Sequence, residues 1–337
     1  MATIPALSAE KLVDRHGRAI TYLRISVTDR CDLRCRYCMS EAMTFLPREE
    51  VLTLEEIALI AERFIARGVR KIRLTGGEPL VRRDMVELVR RLGRQVGGAL
   101  DELTLTTNGT RLALHADDLF AAGIRRINVS MDSRDPALFR HITRHGDVAK
   151  VLGGIATAKA AGMAIKINMV ALKGLNEHEI GPMLAWCAAE GHDLTLIETM
   201  PMGQIDEDRA DRFLPLPAVM DSLRQRFDLQ PDDHKTGGPA LYWRVAGTGT
   251  RLGLISPLTA NFCATCNRVR VSTDGKLHMC LGHEDSVDLR AAIRTGGLAA
   301  VDARILEALG RKPAAHDFSI AAGSAPAVAR HMSVTGG

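Results

Sequence analysis

Four times along this chain an apolar-periodic helical segment ends in a glycine and passes at once into a strand-like run. Ile65-Ala66-Arg67-Gly68 precedes residues 69–75 and Phe120-Ala121-Ala122-Gly123 precedes 124–130, while Gly162 precedes 163–172 and Gly191 precedes 192–199. Glycine just past a helix supplies the left-handed residue that ends it. With further strands predicted over 22–27 and 102–107, six strands alternate with helices, the pattern of a parallel α/β sheet.

The strand side chains decide how that sheet is used. Period-two reading puts Arg24, Ser26 and Thr28 on one face of the first strand and Leu23, Ile25 and Val27 on the other. The same split gives Lys71, Arg73 and Thr75, then Thr104, Thr106 and Asn108, then Arg126, Asn128, Ser130 and Asp132, then Lys166 and Asn168. Ordinary parallel strands are apolar on both faces. Strands that keep one face polar predict a sheet curved round a wet cavity, an incomplete parallel (β/α)6-type barrel with its site at the strand C-terminal ends. An open doubly wound sheet is the alternative.

After about residue 200 the pattern changes to Pro201, Gly203, Pro215, Pro217, Pro231 and Gly237-Gly238-Pro239. This predicts a partial barrel over 1–220 and a smaller C-terminal domain over 221–337. At 46% hydrophobic and 25% charged, 337 residues can bury a core of that size. Glu10, Lys11, Asp14, Arg15 and Arg18 interrupt any apolar leader in the first twenty residues, and no membrane-length apolar run follows. The expectation is a cytoplasmic protein with no membrane association. A formal charge of +4 gives no case for nucleic acid.

Seven cysteines on a long chain, six of them in two tight groups, favour metal binding over disulfides. The seventh, Cys187, lies in an apolar run and is expected to be a buried structural thiol. Cys31, Cys35 and Cys38 form a C-x3-C-x2-C loop directly after the first strand. Three thiolates on a [4Fe–4S] cube leave one iron open for a ligand. On spacing alone, a zinc site borrowing a histidine such as His16 stays open.

That cysteine spacing, with Tyr37 before the last cysteine and Thr75-Gly76-Gly77-Glu78-Pro79 ending the second strand, resembles the radical S-adenosylmethionine (SAM) superfamily. The resemblance implies a cluster whose open iron chelates SAM and whose electron releases a 5′-deoxyadenosyl radical. It carries SAM contacts onto Tyr37, Gly77, Ser130 and Met200.

Cys263, Cys266 and Cys280 make a second three-ligand set; as a zinc knuckle it would need His278 or His283. The whole stretch from Asn261 to Leu281 is similar to the second-cluster motif of the GTP 3′,8-cyclase family, as are 23–31, 71–79, 125–132 and the terminal Gly336-Gly337. This resemblance implies two [4Fe–4S] clusters, the second meeting the guanine base of GTP. It places substrate contacts at Arg24, Arg73, Thr106, Lys166, Arg268, Val269 and Arg270, and catalytic roles at Arg268, Arg270, Gly336 and Gly337. Guanidinium forks match phosphate oxygens in bidentate geometry, which gives the inward-facing basic residues a purpose.

The implied reaction removes the 3′ hydrogen of GTP and joins C3′ to C8, the first step of molybdenum cofactor biosynthesis. Implied partners are an electron donor protein, a second copy in a homodimer, and the cyclic pyranopterin monophosphate synthase that takes the product. One position departs from the family: Thr195 stands where arginine is common. The rival readings are another two-cluster radical SAM enzyme, such as a peptide maturase, and a non-catalytic metal-binding module.

Overall fold

The computed structural model describes residues 11–336, so Gly337 lies outside the described residues. Six parallel strands run in sequence order: β1 (Tyr22–Ser26), β2 (Lys71–Thr75), β3 (Glu102–Thr107), β4 (Arg126–Ser130), β5 (Ala164–Ala171) and β6 (Asp193–Glu198). Between them lie α1 (Leu54–Ala66), α2 (Met85–Gly93), α3 (Leu112–Ala121), α4 (Pro136–Thr143), α5 (Val148–Ala160) and, before β6, α6 (Ile180–Glu190). The chain is thus mixed α/β on a largely parallel sheet.

The recurrent glycines do what their positions require. Gly68, Gly123 and Gly162 have φ of +95°, +104° and +99°. In each case the next residue reaches back five positions, Val69 N to Phe64 O, Ile124 N to Leu119 O and Met163 N to Ala158 O, all at 3.0 Å. These are Schellman closures, which satisfy the last helical carbonyls and aim the chain straight into the strand. At the front of α1, Thr53 and Glu56 form a reciprocal capping box.

One face of the sheet is sealed. Leu23, Ile25, Ile72, Leu74, Leu103, Leu105, Ile127, Val129, Ile167, Leu194 and Leu196 lie within one buried core with Ile57, Ile60 and Phe64 of α1. Full burial of such a side chain contributes about 1.5–3 kcal/mol. Cys187 is fully buried there, as expected of a structural thiol.

Strands after residue 220 extend the same sheet at both ends. They are β7 (Leu229–Asp232), β8 (Leu241–Val245), β9 (Arg251–Ile255), β10 (Arg268–Val271), β11 (Lys276–His278) and β12 (Ser286–Asp288). β10 pairs in parallel with β1, and β9 in parallel with β6. The full order is β12-β11-β10-β1-β2-β3-β4-β5-β6-β9-β8-β7. Arg24 of β1, Arg73 of β2, Lys166 of β5, Thr195 of β6, Tyr242 of β8 and Arg268 of β10 all border one cavity, so the polar face is concave. Among the described residues no helix is long and apolar enough to cross a membrane.

Candidate active site

The first cysteine triplet sits on the loop leaving β1, and three neighbours fix that loop. Arg34 N and Arg36 N bond to the carbonyls of Thr143 and Ile142 at the end of α4, both at 3.0 Å. From the glycine-rich turn after β2, Gly77 N donates to Thr28 O at 2.7 Å and Glu78 N to Arg30 O at 2.8 Å. The Glu78 carboxylate accepts from Leu80 N, Thr107 Oγ1 and Asn108 N at 2.9, 2.8 and 2.6 Å. Glu78 therefore binds the β2 turn to the end of β3, and burial lifts its pKa to about 7.

Cys31, Cys35 and Cys38 are free, half-buried thiols that border one cavity with Tyr37, Gly77, Thr106, Ser130, Asp132 and Met200. Every predicted SAM contact therefore lies on the wall that carries the first triplet. Tyr37 OH donates to Asp132 Oδ2 at 2.7 Å, tying the cysteine loop to the end of β4. Burial, with the Asp132 carboxylate next, pushes Cys35 well up and Cys38 to about 11; burial pushes Cys31 to about 12. Thiols held this way need a cationic body to become thiolates, and a cavity lined by three of them fits an iron–sulfur cluster. His16 is not on this wall: its Nε2 accepts from Arg15 Nε at 3.2 Å on the surface.

Cys263, Cys266 and Cys280 border an adjoining cavity with Arg24, Arg73, Lys166, Arg268 and Arg270. Asn168, Ile197, Met200 and Met332 line both spaces, so the two triplets face each other across a shared partition. Burial raises the Cys266 thiol, but Arg268 and Lys312 outweigh it and bring it down to about 7. His283 Nε2 is engaged with Ala315 O at 2.9 Å. Among the described residues, no three His, Cys, Asp or Glu side chains close round a single-ion site.

The basic residues crowd one another. Burial, then Arg270, holds Arg24 well below its ordinary range, and burial followed by Arg126 and Arg73 brings Lys166 to about 7. Arg73 Nε, Arg126 Nη1 and Asn128 Oδ1 are buried without hydrogen-bond partners. A cavity with this much enclosed positive charge is shaped for a polyanion. Thr106 lies on the wall of the first triplet instead, and its Oγ1 is likewise buried and unpartnered. Val269 alternates with Arg268 and Arg270 on β10, so its side chain packs in the core and only its backbone faces the strand pairing with Leu23.

The segment before Gly336 runs along the C-terminal ends of β1 and β2. Thr273 N donates to Val334 O at 3.0 Å, and Arg270 Nη1 donates to Gly336 O at 3.0 Å. A Cβ on Gly336 would lie 2.1 Å from Thr75 Cγ2, and φ there is +79°, so glycine is required twice over.

Several wall residues escape sequence reading. Tyr22 lies beneath Lys71 and Arg73 at 5.1 and 5.8 Å, and Glu102 bridges Lys71 and Arg126. Near Thr195, the Tyr242 hydroxyl meets Lys166 and Thr236. A Cβ on the intervening Gly253 would lie 2.9 Å from the Tyr242 ring and 3.0 Å from Thr195 Oγ1. Tyr22 shares strand parity with Arg24, which could have marked it; Tyr242 lies outside the predicted strands and carried no such signal.

Comparison with known proteins places the chain in a family. The Radical SAM superfamily profile matches residues 25–187, and the Molybdenum Cofactor Synthesis C profile matches 192–318. The GTP 3′,8-cyclase of Erythrobacter litoralis is 59% identical over 335 residues, covering 98% of this chain and 100% of that protein. The GTP 3′,8-cyclase of Caulobacter vibrioides is 57% identical, covering 100% of this chain and 97% of that protein. Among solved structures, Streptococcus suis SuiB bound to precursor peptide SuiA superposes with a TM-score of 0.60 at 14% identity, covering 89% of this chain and 67% of that one. That likeness concerns the fold alone.

Proposed function

This chain belongs to the GTP 3′,8-cyclase family of the radical SAM superfamily, and on that premise we propose how its own residues divide the work. The activity is that of a radical SAM GTP 3′,8-cyclase in molybdenum cofactor biosynthesis, with GTP as substrate and SAM and a [4Fe–4S] cluster as cofactors. Cys31, Cys35 and Cys38 hold that cluster, with Tyr37, Gly77, Ser130 and Met200 around SAM. Once bound, cluster and SAM together supply radical hydrogen abstraction.

The finer reading extends to a (β/α)6-type partial barrel over 1–220 and a C-terminal domain over 221–337 whose Cys263, Cys266 and Cys280 hold a second [4Fe–4S] cluster. Arg24, Arg73, Lys166, Arg268 and Arg270 take the triphosphate, and their excess of enclosed charge is relieved when it binds. Thr106, on the wall the sugar approaches, and the backbone of Val269, between Arg268 and Arg270 on β10, belong to the same substrate reading. Tyr242, paired with Lys166, occupies the space beside Thr195, the position where arginine is common in the family, and serves there instead. Arg270 holds the Gly336 carbonyl, so a residue that binds substrate also positions the Gly-Gly segment, with Gly337 beyond it. A nucleotide gripped at its phosphates in one space reaches the partition with its sugar, near the SAM-side wall. A homodimer, an electron donor protein, hand-off to cyclic pyranopterin monophosphate synthase and a cytoplasmic location belong to the same reading.

The observation that carries it is that the two cysteine triplets line adjoining cavities and the five cations line only the second. The test is anaerobic turnover of reconstituted protein with SAM, reductant and GTP deuterated at C3′. Deuterium in the 5′-deoxyadenosine, with GTP consumed, is expected. SAM cleavage that ignores GTP, in protein with both clusters loaded, would overturn the assignment of residues to substrate.

A further inference from the structure

Cations drawn from three distant parts of the chain grip the second cysteine triplet. Arg18, in the hairpin before β1, donates to Cys263 O at 2.8 Å and is steadied by Asp14 at 2.6 Å. Arg330, near the end of the chain, donates to the carbonyls of Cys280 and Leu281. Lys312, which follows the helix Leu289–Arg311, goes further and reaches a sulfur: its Nζ lies 3.7 Å from Cys266 Sγ. The same ammonium donates to Arg268 O at 2.9 Å and Met279 O at 2.5 Å, so all three of its donors are used.

Lys312 is only 2% exposed. Burying an ammonium is costly unless negative charge offsets it, and two neutral carbonyls do not. The nearest offset is thiolate charge on Cys266 and Cys280; the other anion nearby, Asp14, is already paired with Arg18. Lys312 also spans the two segments that carry the triplet, since Arg268 follows Cys266 on β10 and Met279 directly precedes Cys280. Among the described residues no cation hydrogen-bonds a sulfur of the first triplet: Arg34 Nη1 donates only to the Cys31 carbonyl, at 2.7 Å, while the Cys38 thiol, raised by burial, is lowered by Arg209 through its charge alone. There the sulfur of Cys31 meets the neutral donors Leu33 N at 3.4 Å and Asn108 Nδ2 at 3.7 Å, and Asp132 is buried on the same wall.

Positive charge and N–H···S hydrogen bonds favour the more negative, reduced state of an iron–sulfur cluster and so raise its potential. We propose that Lys312 is a positioning residue for the second cluster, holding the Cys266 and Cys280 segments together and raising that cluster's reduction potential. The inference rests on the reading that Cys263, Cys266 and Cys280 carry a [4Fe–4S] cluster.

The experiment is a redox titration followed by electron paramagnetic resonance on full-length, anaerobically reconstituted protein, with iron and sulfide counted. A variant lacking Cys31, Cys35 and Cys38 isolates the second cluster's signal. Lys312→Gln keeps a donor for the carbonyls but removes the charge, and Lys312→Arg keeps the charge. The expected result is a second-cluster midpoint shifted negative in Lys312→Gln, restored towards wild type in Lys312→Arg, with the first cluster unmoved. Selective loss of the second cluster in Lys312→Gln, rescued by Lys312→Arg, would equally support the role. A wild-type midpoint and signal in Lys312→Gln carrying both clusters would overturn it. Wild-type protein holding zinc or nothing at the second triplet would defeat the two-cluster reading itself, before any variant is compared.

Discussion

Replacing Gly77 with alanine separates contact from torsion at the first triplet. Gly77 does not have a positive φ, yet an added Cβ would lie 2.4 Å from Arg30 O, and 2.7 Å from both Arg30 C and Asp29 O. These are backbone atoms directly before Cys31, so no flexible side chain can yield. Non-bonded contacts relax near 3.5 Å, so the cysteine loop must retreat by about 1 Å. Overpacking of this kind costs about 1–3 kcal/mol, and weakening the bonds from Gly77 N to Thr28 O and Glu78 N to Arg30 O adds about 0.5–1.5 kcal/mol each. A sum of about 2–6 kcal/mol against a usual stability of about 5–15 kcal/mol leaves a protein that folds but melts early. Catalysis suffers more, because a misplacement of about 1 Å in a reacting pair costs on the order of 100-fold. The assay is anaerobic SAM cleavage normalised to bound iron, alongside a thermal melt. Wild-type cleavage in a fully loaded Gly77→Ala protein would refute the argument that this approach positions the first cluster.

Three more outcomes follow from the same geometry. Lys166, at about 7 in the folded protein against an ordinary 10.5, is charged more readily when unfolded. Its penalty on stability is therefore fully present below pH 7 and relieved as pH rises towards 10.5. A bound triphosphate favours the charged form, so the Michaelis constant for GTP should rise with pH above 7; the same slope in Lys166→Met would sink this account. Asp302 accepts from both Arg63 and Arg67, all three buried, so Asp302→Ala should cost about 3–5 kcal/mol in urea unfolding without altering cluster content. Deleting Gly336 and Gly337 should sharply reduce turnover while both clusters stay loaded, and unchanged turnover would remove any role for the contact between Arg270 and Gly336.

The β1–β6 strands were legible because their signals are local. A glycine after each helix and strict alternation of Arg24, Ser26 with Leu23, Ile25 need nothing from elsewhere in the chain. The cysteine triplets were legible for the same reason, since spacing on a loop is itself the geometry. What escaped depends on distant pairing. That β10 lies beside β1, so that Arg268 and Arg270 stand level with Tyr22 and Arg24, follows from contacts between residues some 250 apart in sequence. The clamps Arg18, Lys312 and Arg330 belong to segments with no motif of their own, and a lysine after a long helix reads as a solvated C-terminal charge. Thr195 was readable as a departure, but that Tyr242 and Gly253 share its space was not.

The pairing of β10 with β1 and of β9 with β6 also bears on how the chain is made. When β6 has left the ribosome, the six-stranded core has both margins bare, and each offers a row of unpaired backbone groups to any passing strand. The strands that cover them end near residues 255 and 271. At about 5–20 residues per second, the roughly 70 residues still to come occupy on the order of 4–14 s. The β6 margin can close once β9 is made, but the β1 margin stays open for the whole interval, and it is then that a holdase has the most to protect.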